Sequence, residues 1–218
     1  MIVDERITAY INSLEKELTP ELLSLEKEAI DNHVPIIKKE TQGLLKFLIN
    51  LKQPTHILEV GTAIGFSALF MSEYSKMDCK ITTIEKVAMR LAEADKNLAD
   101  LRFSQRDKIT LKKGEALEVL KDLVKEKESY DFIFLDAAKA QYMSFLPEIM
   151  KLLGAHGMLV TDNVLQDGTV TNSRYSITRR DRTIHSRMRE YLYTITHMEE
   201  LDTVILPIGD GLALSSRI

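Results

Sequence analysis

The feature that most constrains this chain is an alternation that begins at His56. Short apolar runs, HILEV (56–60), KITTI (80–84), KITLK (108–112), YDFIFL (130–135) and GMLVT (157–161), are separated by stretches with helical apolar spacing near 66–76, 87–103, 115–127 and 141–153. Strands that are apolar throughout need cover on both faces, and helices returning between parallel strands supply it. The tail breaks the pattern. LDTVILPI (201–208) and GLALSSRI (211–218) flank Gly209-Asp210-Gly211 and read as an antiparallel hairpin. The expected fold is α/β, with a seven-stranded, mostly parallel sheet closed by that hairpin.

Ahead of the alternation, residues 1–52 read as an N-terminal helical extension of a single domain whose core is 53–218. Ile7, Tyr10, Ile11, Leu14 and Leu18 recur at helical spacing, and Thr19-Pro20 reads as the start of a second helix. A third is expected from near Lys39 to Leu51, stopping before Pro54. A length of 218 residues suits one domain.

Several classes drop out on composition. Cys79 is the only cysteine, which leaves no intramolecular disulfide and no cysteine zinc site. The start is charged and amphipathic, unlike a signal peptide. No apolar run approaches the roughly 18 residues of a membrane span. The reading is a cytoplasmic protein with no membrane partner. A net charge of -4 does not suggest a nucleic-acid binder as a whole.

The first strand ends in Glu59-Val60-Gly61-Thr62-Ala63-Ile64-Gly65-Phe66-Ser67. Two glycines in a strand-to-helix turn let backbone approach a ligand closely, and in a doubly wound sheet that turn lies on the binding edge. The spacing is G-x-x-x-G rather than the G-x-G-x-x-G that cradles a pyrophosphate, which disfavours a nicotinamide dinucleotide. Glu85 ends the second strand, where an acid can accept from ribose hydroxyls. Gly114-Glu115-Ala116 follows the third, where a small residue can flank an adenine. The ordered set points to an adenosine ligand.

The fourth and fifth strands run directly into Asp136 and into Asp162-Asn163. Adjacent parallel strands bring these oxygens together. Two carboxylates and an amide are hard ligands suited to Mg²⁺, and no histidine lies near them to favour zinc or redox iron. Lys139 sits one turn past Asp136. Beside a cation its ammonium form is disfavoured, which suits it to accept a proton.

Together these residues resemble the cation-dependent O-methyltransferases, which include the catechol and caffeoyl-CoA O-methyltransferases. The matching stretches are VPIIKKETQGLL, ILEVGTAIGFSAL, TTIEK, KKGEALEVL, YDFIFLDAAKAQY, LVTDNVL and LPIGDGLALS, from Val34 to Ser215. The resemblance implies the Rossmann-like class I fold that uses S-adenosylmethionine. It implies donor contacts at Ile37, Glu59, Gly61, Ser67, Glu85, Glu115, Ala116 and Asp136, and Mg²⁺ or another hard divalent ion on Asp136, Asp162 and Asn163. It also implies Lys139 as catalytic base acting with Asp136, and a homodimer.

An acceptor suited to such a site carries a hydroxyl beside a second oxygen. Six arginines lie between Arg174 and Arg189 with Asp181 as the only acid, and basic density beside a site attracts phosphate. DNVLQDG followed by RRDRTIHSRMREY is similar to bacterial tRNA 5-hydroxyuridine methyltransferases. That likeness implies the tRNA anticodon arm as partner, with Arg174, Arg179, Arg180 and Arg182 as RNA contacts. Small vicinal diphenols are the alternative acceptors, and a non-catalytic S-adenosylmethionine binder is a further one that the intact Asp136, Lys139, Asp162 and Asn163 disfavour.

Overall fold

A computed structural model describes residues 2–173 and 175–218. Three helices lead, α1 (Glu5–Leu14), α2 (Pro20–Asp31) and α3 (Lys39–Lys52). There follow β1 (His56–Val60), α4 (Phe66–Tyr74), β2 (Lys80–Glu85), α5 (Ala88–Leu98), β3 (Ile109–Lys113), α6 (Ala116–Lys125), β4 (Tyr130–Leu135), α7 (Tyr142–Leu152), β5 (Leu153–Thr161), α8 (Arg182–His197), β6 (Leu201–Leu206) and β7 (Leu212–Arg217). The strands form one sheet in the order β3-β2-β1-β4-β5-β7-β6. β1 to β5 pair in parallel, and β7 pairs antiparallel with β5 and β6.

Strand alternation divides the core into two layers. Leu58, Ile133, Leu135 and Leu159 face a cluster with α6, α7 and α8. Ile57, Phe132, Phe134 and Val160 face the opposite cluster, which includes Leu22, Leu25, Leu45 and Ile49 of α2 and α3. Burying a side chain of this size contributes roughly 1.5–3 kcal/mol, so α2 and α3 are part of the core and packing runs straight across residue 52. α1 differs. None of its residues is buried, and Ile7, Tyr10, Ile11 and Leu14 are exposed.

Three boundaries depart from the sequence pattern. α1 stops at Leu14, leaving Leu18 outside it. α5 stops at Leu98, because the Asp100 carboxylate accepts from the Arg102 amide at 2.9 Å and offers the chain a turn in place of further helix. β5 begins at Leu153, and an irregularity between the Tyr130↔Leu153 and Phe132↔Met158 pairs absorbs the residues between, His156 at φ 56 among them. No helix among the described residues is long and apolar enough to cross a membrane.

Candidate active site

The carboxyl ends of β1, β2, β4 and β5 open into a cavity of about 710 Å³. Backbone hydrogen bonds stitch these ends together. Gly61 and Thr62 donate to the Ile84 carbonyl at 3.0 and 3.1 Å, Asp136 donates to Val60 at 3.0 Å, and Asp162 to Leu135 at 3.0 Å. The turn after β1 takes φ values of 108° at Gly61 and 89° at Gly65, a region that favours glycine.

Most of the expected donor contacts reach this cavity. Ile37, Gly61, Ser67, Glu85, Glu115, Ala116 and Asp136 all line it. The Ile37 segment is fixed from behind, since the buried Gln42 side chain donates to the Ile37 carbonyl at 3.0 Å and to Glu26 at 2.9 Å. Glu85 accepts from the amides of Ala63, Lys86 and Val87, each at 2.9 Å. A carboxylate has about four lone-pair sites, so Glu85 is held in place with capacity left for a ligand. Glu115 carries an exposed ion pair with Lys86 at 3.2 Å.

Glu59 is the exception. It is fully buried and does not line the cavity. Its two oxygens accept from the hydroxyls of Ser67 and Thr83. Burial pushes its carboxyl up to about 7, against the pull of those two hydrogen bonds. The expected direct contact is therefore corrected: Glu59 stands behind the wall and fixes Ser67, which does face the cavity.

Asp136, Asp162, Asn163 and Lys139 also meet here. The Leu135↔Thr161 pair places the two acids one residue further along adjacent strands. Burial pushes both carboxyls up, and Asp162 is raised further by the charge of Asp136. Lys139 and then Arg90 draw Asp136 back down. Asn163, at φ 60, donates its side-chain amide to Asp210 at 3.3 Å. The donor set is thus two poorly compensated carboxylates and one amide oxygen, all hard. Among the described residues no cluster of three or more His, Cys, Asp or Glu is arranged to hold a metal. A cation here would take the Asn163 amide oxygen as its third protein donor, and in charge and donor type the set fits a hard divalent cation.

Two further residues escaped the sequence reading. Lys38 lies 2.5 Å from Asp210 and 3.5 Å from Asp167, tying the segment before α3 to the β6–β7 turn. The signal was an aspartate held between Gly209 and Gly211, read only as turn chemistry.

The basic segment lies beside the opening, where Ile184 of α8 lines the cavity. Arg179 and Arg180 are exposed in the turn before α8. Arg182, half-buried, donates to the Ile177 carbonyl at 3.2 Å. Arg187 and Arg189 donate to the carbonyls of Ala140 and Val170 at 2.8 and 3.2 Å. Among the described residues none of these five forms a salt bridge. Arg174 lies outside the described residues.

The strand order and the antiparallel β5–β7–β6 edge define the class I S-adenosylmethionine-dependent methyltransferase fold. Within that class the chain belongs to the O-methyltransferase family, whose model matches residues 9–218, and the protein is an enzyme of that type. A catechol O-methyltransferase from Niastella koreensis is 30% identical over 76% of this chain and 76% of its own length. A candidate caffeoyl-CoA O-methyltransferase from Staphylococcus aureus has a solved structure that superposes with a TM-score of 0.85 at 31% identity, covering 98% of each chain. The O-methyltransferase from Bacillus cereus, solved in complex with SAH, shares the fold at 20% identity, with a TM-score of 0.84 over 98% of this chain and 97% of that one.

Proposed function

We propose that this enzyme uses S-adenosylmethionine and Mg²⁺, or another hard divalent cation, to methylate a hydroxyl that lies beside a second oxygen. Its preferred acceptor in this reading is 5-hydroxyuridine at the tRNA wobble position, giving 5-methoxyuridine. One observation carries the chemistry: Asp136, Asp162 and Asn163 converge at the cavity that also holds the glycine turn and Glu85.

When bound, the donor supplies an electrophilic sulfonium methyl and the cation favours the ionised form of the acceptor hydroxyl. The chain's own residues do the rest. Gly61 lets the backbone approach the donor, Ser67 is aimed at it by Glu59, and Glu85 orients the ribose. Ala116 leaves room for the adenine, with Glu115 and Ile37 beside it. Asp136, Asp162 and Asn163 would hold the cation, and Lys139 Nζ, as the neutral amine, would accept the hydroxyl proton and become the ammonium. Holding two reactants in line can lower a barrier by about 7–11 kcal/mol.

The RNA reading is supported by arginines close in sequence to Ile184, which lines the cavity, that form no salt bridge among the described residues, with Arg179 and Arg180 exposed and Arg182 half-buried. Arg174 completes the proposed set by sequence. A second reading, methylation of small vicinal diphenols, is favoured by the catechol O-methyltransferase relative. Mass spectrometry of nucleosides from tRNA of a deletion strain separates the two. The RNA reading expects 5-hydroxyuridine to accumulate and 5-methoxyuridine to vanish. Unchanged nucleosides would leave the diphenol reading.

We assign the enzyme to the cytoplasm and the exposed apolar stripe of α1 to a second copy of the chain. Light scattering should give a dimer mass, and Ile11→Asp should reduce it to a monomer.

A further inference from the structure

Two fully buried tyrosines converge on the end of β5. Tyr142 opens α7 immediately after the turn that holds Lys139, and its backbone N–H donates to the Lys139 carbonyl. Its hydroxyl donates to the Asp162 carbonyl at 3.2 Å. Tyr191, from α8, pairs its hydroxyl with that of Thr161 at 2.7 Å. The two rings meet edge to face with centroids 5.5 Å apart.

The rings alone satisfy the packing, and phenylalanine would fill the same space. The hydroxyls need another reason, because a buried hydroxyl without a partner is costly. Tyr142 reaches the Asp162 carbonyl through its hydroxyl and the Lys139 carbonyl, three residues past Asp136, through its backbone N–H. It therefore ties the end of β5 to the turn that leads from Asp136 through Lys139 into α7. We infer that Tyr142 is a positioning residue, whose hydroxyl holds the Asp136 and Asp162 strand ends in the arrangement that receives the divalent cation. This rests on the divalent-cation reading above.

The test uses the full chain as wild type, Tyr142→Phe and Tyr191→Phe. Three quantities are measured: Mg²⁺ affinity by calorimetry, S-adenosylmethionine affinity, and thermal stability. Loss of a group that orients metal ligands typically weakens affinity about 10–100-fold. Tyr142→Phe should show a Mg²⁺ loss of that size with donor affinity unchanged. Its kcat should fall at sub-saturating Mg²⁺ and recover as Mg²⁺ is raised. Tyr191→Phe leaves the Asp162 carbonyl engaged and should lose less Mg²⁺ affinity. Three outcomes overturn the inference. The first is wild-type Mg²⁺ affinity in Tyr142→Phe. The second is a parallel loss of metal and donor affinity that tracks stability in both variants. The third is failure of Tyr142→Phe to fold, which would mark the hydroxyl as structural. A wild type that binds no Mg²⁺ at all would remove the divalent-cation reading itself, and this inference with it.

Discussion

A Cβ atom built on Gly61 would lie 1.9 Å from the carbonyl oxygen of Asp136. The donor turn after β1 and the first acidic residue after β4 are thus in backbone contact, and only glycine permits it. Gly61→Ala would meet both that clash and a φ of 108°. Strain of these kinds costs roughly 3 kcal/mol, which at this chain length lowers Tm by about 6–12 °C. Thermal unfolding checks the stability term. Donor binding by calorimetry should be lost too, and a variant that binds normally would show that the close approach is unimportant.

Asp162→Asn should separate function from stability. The acid is buried beside Asp136 and both carboxyls are pushed up, so above neutral pH their charges repel. The amide removes one charge and can still accept from the Asn163 amide, a contact now at 2.6 Å. With EDTA present at pH 8, the variant should melt higher than wild type by a few degrees. Added Mg²⁺ should raise the wild-type Tm and leave the variant unmoved. A variant that melts lower in EDTA would mark Asp162 as a structural acid.

Glu59 gives the stability a pH dependence of known sign. Its carboxyl is raised from 4.5 to about 7 in the fold, chiefly by burial. A raised acid binds more protons folded than unfolded. Its favourable contribution is therefore full below about pH 4.5 and lost as pH rises through about 7, a span of about 3 kcal/mol. Glu59→Gln should flatten the denaturation midpoint against pH over that window. An unchanged slope would assign the dependence to other groups.

The exposed arginines should act through charge. Arg179→Gln combined with Arg180→Gln should weaken binding to an anticodon stem-loop and leave donor affinity alone. For every single-stranded phosphate that the variant no longer neutralises, the log–log salt dependence should flatten by about 0.7. Binding that is insensitive to salt in wild type would rule out phosphate docking at this edge.

Much of the fold is written in local pattern. HILEV and YDFIFL coincide with β1 and β4, because central parallel strands are apolar on both faces and leave little ambiguity. Asp136 and Asp162-Asn163 were legible for a related reason: each directly follows a strand, so its place at the sheet edge is fixed by the strand before it. Glu59 misled for want of the third dimension. It lies inside β1, and its buried side chain is taken up by the hydroxyls of Ser67 and Thr83. Lys38 and Asp210 are 172 residues apart in the chain, and only the hairpin folding back beside β5 brings them together. β5 itself starts early because the irregularity opposite Tyr130 leaves no mark in the apolar pattern.

The central claim is that methyl transfer depends on a hard cation held by Asp136, Asp162 and Asn163. The most direct measurement is turnover of wild type with S-adenosylmethionine and either 5-hydroxyuridine-containing tRNA or a catechol, after EDTA treatment and again after adding back Mg²⁺. The prediction is turnover abolished by EDTA and restored by Mg²⁺, with no restoration in Asp136→Ala. Undiminished turnover in excess EDTA would contradict it.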